Sequence, residues 1–255
     1  MAKFTANGIP LEADLLVFDK DGLMFDSSVF WRELASTRAE VIARQFGDET
    51  LALRWARLFG ADTRFESGKA VTASVDSLGT MAVASPYEER TITSGMLCEK
   101  FGLKWHEARE LGIRIFETAD RALDLKKAIR PQPGYIDLMR RLIELDVPYC
   151  VATSDTLERT RDSMALFGFF DKVRCVITPE DVSEGKPAPD MLQLISRRLN
   201  VDPGRIAMIG DSYVDVRMAS NAGCIGIGVN ADKKMQTAMK PCATAILDDL
   251  HQLVF

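Results

Sequence analysis

The sequence predicts an α/β fold, and three observations predict it. Short apolar runs alternate with helix-period stretches through the second half of the chain, the pattern of a parallel sheet covered on both faces. A further apolar run, "LLVF" at 15–18, stands near the start and reads as another strand of that sheet. Between it and the rest, from about residue 27 to 130, the pattern is mostly helical. The expected architecture is therefore a three-layer, Rossmann-like core with a parallel sheet, formed by residues 1–26 and 131–255, plus an inserted all-helical cap domain at 27–130.

Taken in order, "SVFWRELASTRAEVIARQFG" places Trp31, Leu34, Val41 and Ile42 on one helical face and ends at Gly47. The stretch "GADTRFESGKAVTASVDSLGTMAVAS" is polar, contains glycine and has no clear period, so a long loop is expected there. "SPYEERTITSGMLCEKFG" opens with Ser85 and Glu88 at capping-box spacing and Pro86 at the first helical position. "WHEARELGIRIFETADRALDLKKAI" continues as a long helical pattern, and "RPQPG" at 130–134 is a natural re-entry linker. Four buried strands are expected from "PYCVAT", "KVRCVI", "RIAMIG" and "CIGIGV". Between them, Leu157, Met164 and Phe167 share one helical face, and Met191, Leu194, Ile195 and Leu199 share another.

Composition excludes several classes. With 47% hydrophobic and 27% charged residues the chain reads as an ordinary soluble globular protein. The net charge of -5 leaves no basic excess to neutralise a nucleic-acid backbone. No apolar run approaches the roughly 20 residues of a membrane helix, and the N-terminus lacks the apolar region of a secretory signal. The five cysteines, Cys98, Cys150, Cys175, Cys224 and Cys242, are dispersed, as expected of reduced thiols in a cytoplasmic protein. With only His106 and His251 available and no CxxC spacing, zinc is not expected.

In an open α/β sheet, ligands bind at the carboxyl ends of the strands. Those ends carry Asp19 and Asp21 in "FDKDG", Thr153, Ser154 and Asp155 in "VATSD", Lys186 in "EGKPAPD", and Asp211 and Asp215 in "IGDSYVD". Strand alternation lets Asp19 and Asp21 share a side while Lys20 points away, and Gly22 permits a sharp departure. Two like charges so close cost stability unless a cation or a reaction uses them. Carboxylate oxygens from Asp19 and Asp211 with a backbone carbonyl suit a hard octahedral cation, so Mg²⁺ is the expected metal, held at Asp19, Asp21 and Asp211. Arg64 and Lys69 read as exposed cations of the insert, and the two histidines as surface or structural groups.

These four stretches, in this order and strand context, resemble the motifs of the haloacid dehalogenase-like hydrolase superfamily, in its helical-cap, phosphoglycolate-phosphatase-like branch. Leu23 and Met24 depart from the Thr-Leu more usual there. The resemblance implies a phosphatase in which Asp19 is the nucleophile, Asp21 the acid and base, and Lys186 the balancing charge. Thr153, Ser154 and Lys186 would bind phosphate, and Asp215 would orient Lys186 or lie behind the metal. It also implies a small phosphorylated metabolite as partner, phosphoglycolate or a sugar phosphate, and a cap that closes over the site. A dehalogenase needs no proton for its leaving halide, so Asp21 favours phosphoryl transfer. A phosphoglucomutase-type transferase, a phosphonatase using a cap lysine such as Lys69, and a non-catalytic scaffold remain as alternatives. Oligomeric state is not legible.

Overall fold

Leu15–Phe18 are buried at every position and pair in parallel with Ile206–Gly210 on one side and Tyr149–Ala152 on the other. A strand without alternation belongs inside a sheet covered on both faces. The structure is a computed structural model describing residues 1–76 and 79–255. Its main sheet runs in the order Ala245–Leu247, Ile225–Val229, Ile206–Gly210, Leu15–Phe18, Tyr149–Ala152, Val176–Ile177, with all neighbours parallel. On one face Leu15, Val17, Cys150 and Met208 pack with Met191, Ile195, Met218 and Ala219 from the helices Asp190–Leu199 and Tyr213–Ala222. Leu16 and Phe18 alternate to the other face, where the Phe18 ring meets Tyr149 edge-on. The Tyr149 hydroxyl donates to the Phe169 carbonyl at 2.9 Å, satisfying the one polar atom of that ring.

One expectation for this part changes, and the structure adds a sheet that was not expected. "KVRCVI" shortens to Val176–Ile177, because Phe170–Lys172 forms a 3₁₀ turn and the strand pairs only with its neighbour on one side. A second, antiparallel sheet joins Leu253–Val254, Ala2–Ala6 and Ile9–Ala13. Its hairpin turns at Asn7 and Gly8, with φ of 49° and 77°, the left-handed conformations that an Asn-Gly turn supplies.

Contacts divide the chain into two compact units, residues 1–26 with 131–255, and residues 27–130. The second is framed by the helices Ser27–Phe46, Glu49–Leu58, Pro86–Phe101 and Trp105–Ala122. Ser85 closes the expected capping box with Glu88. Trp55, fully buried, stacks on Phe59 at 4.5 Å and donates to Thr93 Oγ1 at 3.0 Å. Arg38 is equally buried; its guanidinium lies over the Phe116 ring and donates to Glu89 at 2.9 Å.

The insert is not all-helical: Ala61–Glu66 and Lys69–Val75 form an antiparallel hairpin where a loop was expected. Its inward face mixes Ala61, Phe65 and Ala70 with the hydroxyls of Thr63 and Thr72, so small and polar residues interrupt the apolar alternation that would have revealed it. Thr72 N–H donates to Ser36 Oγ at 3.0 Å, and Thr63 and Thr72 hydroxyls meet at 2.9 Å. Ser77 and Leu78 of the same stretch lie outside the described residues. Among the described residues no helix is long and apolar enough to cross a membrane.

The Trp55 contacts generate a stability prediction. Trp55→Ala is expected to lower the unfolding free energy by about 3–5 kcal/mol, read from urea unfolding followed by circular dichroism. Trp55→Phe keeps an aromatic ring against Phe59 and loses only the bond to Thr93, so its loss is expected to be about 1–2 kcal/mol.

Candidate active site

From Leu15–Phe18 the chain runs outward to Tyr149–Ala152 and Val176–Ile177, then crosses to Ile206–Gly210 on the opposite side. The order therefore reverses between the Leu15 and Ile206 strands, and the crevice beyond their carboxyl ends is where such sheets bind ligands. Asp19 extends the ladder by one bond, donating its N–H to the Ile209 carbonyl at 2.9 Å. The chain then folds back on itself: the Lys20 carbonyl accepts from Met24 and Phe25, and Gly22 N–H donates to the Phe25 carbonyl. Gly22 has φ of +92°, and a Cβ there would collide with the Asp211 carboxylate. Glycine is required both for the turn and for the space beside Asp211.

The centre of the site is an ion cluster. Lys186, its side chain 3% exposed, donates to Asp19 Oδ1 at 2.5 Å and to Asp215 Oδ1 at 2.7 Å. The other oxygen of Asp215 accepts from the Ser212 N–H at 3.1 Å and its hydroxyl at 2.6 Å, so the carboxylate is fixed at both ends. Donor oxygens of Asp19, Asp211 and Asp215 lie within 4.8 Å of one another. Burial pushes the Asp19 carboxyl up to about 7 against the pull of Lys186, with Asp215 and Asp21 adding to the rise. Burial likewise holds Asp211 well above the usual carboxylate range, with Asp19 and Asp215 pushing the same way. Burial works against the Lys186 charge, and Asp19 and Asp215 more than offset it.

Three carboxylates thus share one ammonium. Among the described residues Asp211 makes no ion pair, although its carboxylate is deep in the site. Excess buried negative charge, all-oxygen donors and the room left by Gly22 fit a hard divalent cation.

The remaining expected residues lie around this centre. Thr153, 1% exposed, ends the Tyr149–Ala152 strand, and its Oγ1 accepts the Asp155 N–H at 3.0 Å. Ser154 is exposed. Asp21 is not part of the close carboxylate cluster; its Oδ1 accepts from Lys20 Nζ at 2.6 Å. Here the structure corrects an expectation, because Lys20 does not point away to solvent. Its side chain is completely buried and its ammonium also lies 3.0 Å from Asp155. The signal was present in "FDKDG" and "VATSD": an ammonium buried after an apolar strand needs carboxylates, and Asp155 is the second of them. Arg64 pairs with Glu66 in the hairpin, Lys69 is exposed, and His106 and His251 are exposed.

The profile of the haloacid dehalogenase-like hydrolases matches residues 13–223. The chain belongs to that family. Among curated relatives, N-acetylmuramic acid 6-phosphate phosphatase of Pseudomonas aeruginosa is 28% identical over 94 residues, 37% of this chain and 42% of that protein. The mitochondrial (DL)-glycerol-3-phosphatase 1 of Arabidopsis thaliana is 28% identical over 218 residues, 82% of this chain and 61% of that one. The chain spans about half the length of the first curated relatives it matches. The structure is similar to that of the HAD-hydrolase YfnB from Bacillus subtilis bound to magnesium, with a TM-score of 0.61 at 14% identity over 95% of this chain and 97% of the other. That likeness concerns the fold alone.

The crowding of carboxylates has a stability consequence. Asp211→Asn removes one buried like charge and is expected to raise the stability of the metal-free protein by about 1 kcal/mol, roughly 2–4 °C at this chain length. Differential scanning calorimetry in the presence of a chelator measures it; an unchanged or lower melting temperature would contradict the charge imbalance.

Proposed function

We propose that this chain is a Mg²⁺-dependent phosphatase that hydrolyses a small phosphorylated metabolite through an aspartyl-phosphate on Asp19. The observation that carries the reading is the Asp19–Lys186–Asp215 arrangement beside Asp211, at the crevice where the strand order reverses. The core formed by 1–26 and 131–255 carries the chemistry, and the insert at 27–130 is assigned the choice of substrate. The phosphatase names of the two relatives support the reaction class, and the magnesium bound by YfnB supports the metal. Five free thiols support a reducing compartment, the cytoplasm.

Lys186 engages Oδ1 of Asp19, leaving Oδ2 to attack the phosphorus. As that O–P bond forms, the ester P–O bond breaks, and its electron pair leaves on the ester oxygen. Asp21 gives that oxygen a proton, so it departs as an alcohol. Water then attacks the phosphorus, passes a proton to Asp21, and frees Asp19 and inorganic phosphate. The Thr153 hydroxyl, which accepts from Asp155, keeps its own proton for a phosphoryl oxygen. Ser154 lies at the same strand end and is assigned to the same phosphoryl group. Lys186 offsets charge on Asp19 and the phosphoryl oxygens, and Asp215 holds it in place. Mg²⁺, for which the carboxylates of Asp19 and Asp211 and the backbone carbonyl of Asp21 are the proposed ligands, would supply further charge neutralisation at the phosphoryl oxygens when bound.

Phosphate release from a panel of phosphorylated metabolites tests this. Release is expected to require added Mg²⁺ and to stop with a chelator. Asp19→Asn is expected to lower turnover by more than about 10³-fold, and Asp21→Asn by about 10²–10⁴-fold. Turnover that survives Asp19→Asn would remove the nucleophile and the mechanism with it.

A further inference from the structure

The buried lysine between the two aspartates has no part in the reaction as written above, yet it is the most completely enclosed charge beside the site. Lys20 Nζ is 2.6 Å from Asp21 Oδ1 and 3.0 Å from Asp155 Oδ2, and its side chain is 0% exposed. Asp155 is itself fixed: its Oδ1 accepts the Thr156 N–H at 2.8 Å and lies 3.4 Å from Arg159 Nε, on the helix Leu157–Ala165. A rigid carboxylate therefore anchors the ammonium, and the ammonium anchors one oxygen of Asp21. Burying an ammonium costs stability unless its partners are well placed, and a methionine could fill the same space without that cost. A lysine here holds something that a methionine could not.

We propose that Lys20, braced by Asp155, is a positioning residue that orients the Asp21 carboxyl for proton transfer to the departing ester oxygen. The inference rests on the phosphatase reading. With Oδ1 of Asp21 tied to Lys20, only Oδ2 is left to hold and deliver the proton, and the carboxyl is limited to orientations compatible with that bond. The alcohol leaves with the bonding pair and the proton from Oδ2; the proton is restored when water attacks. An error of placement in such a transfer costs rate in proportion to how much the leaving group needs the proton.

That dependence separates positioning from general damage. Phenyl phosphate and p-nitrophenyl phosphate have nearly the same shape, but phenolate leaves poorly without a proton and nitrophenolate leaves readily. In Lys20→Met, kcat/KM for phenyl phosphate is expected to fall about tenfold or more, while that for p-nitrophenyl phosphate falls less than about threefold. Because Lys20→Met removes one of the two cations beside Asp155, the double variant Lys20→Met/Asp155→Asn is measured beside it, with circular dichroism and a thermal melt to establish folding. The same leaving-group dependence is expected in both. Equal losses on the two esters in the folded double variant would overturn the positioning role alone. A wild-type protein that releases phosphate from neither ester and from no metabolite of the panel, with Mg²⁺ present, would overturn the phosphatase reading and this role with it.

Discussion

The geometry of the site depends on one buried ammonium. Lys186 lies between Asp19, at the end of one strand, and Asp215, in the first turn of the helix that follows the neighbouring strand, while Lys186 comes from a loop beyond a third strand. Without it, Asp19, Asp211 and Asp215 would place three carboxylates within 4.8 Å with no positive charge. Desolvation alone already drives the Asp19 carboxyl toward protonation. The contact between segments 167 residues apart therefore does two things at once: it favours the charged form of Asp19 against burial and it pins the loop carrying Lys186 to the sheet.

The sheet makes that contact possible because its central strand is fixed from every side. Leu15–Phe18 have a bonded neighbour on each edge and packed side chains on each face. Interiors packed at this density transmit position with little slack. Asp19 adds one more ladder bond, to Ile209, before Gly22 turns the chain away. The Asp19 carboxylate thus stands at the end of a strand bonded on both edges and packed on both faces, with Gly22 supplying the turn that follows.

Much of this was legible in the sequence because the relevant signals are local. The buried strands announce themselves as apolar runs, and the capping box at Ser85 and Glu88 is written in four residues. What was missed has identifiable physical causes. The hairpin Ala61–Glu66/Lys69–Val75 buries Thr72 against Ser36 and Thr63 among small inward residues such as Ala61 and Ala70, so its apolar alternation is interrupted and weak. The Ala2–Ala6/Ile9–Ala13 hairpin did carry a readable Asn-Gly turn, but its strands hold Lys3, Pro10 and Glu12, which hide the apolar alternation. In the site, Asp19, Lys186, Asp211 and Asp215, read from strand ends and motif resemblance, lie together in the structure. The conformation of Lys20 was misjudged because strand alternation describes where Cβ points, and a four-carbon side chain can turn its head back toward a neighbouring carboxylate.

Once Lys20 is placed, the two aspartates of "FDKDG" have parallel environments with different consequences. Asp19 meets Lys186, whose second partner is Asp215; Asp21 meets Lys20, whose second partner is Asp155. Each is a carboxylate–ammonium–carboxylate chain, and in each the outer carboxylate is held by hydrogen bonds from its own segment, Ser212 in one and Thr156 in the other. The difference lies in the fourth group. Asp211, a further carboxylate, adjoins Asp19, whereas Arg159, a cation, adjoins Asp155. One chain therefore carries surplus negative charge and calls for a cation, while the other is balanced within the protein. Two identical residues two positions apart can then serve opposite ends of one reaction. The unbalanced chain suits attack on a phosphorus beside a divalent ion, and the balanced one suits a carboxyl that must give up a proton and take it back. That division is set by four segments far apart in sequence, which is why the motif around Asp19 and Asp21 can be read for what it contains but not for how its two carboxylates differ.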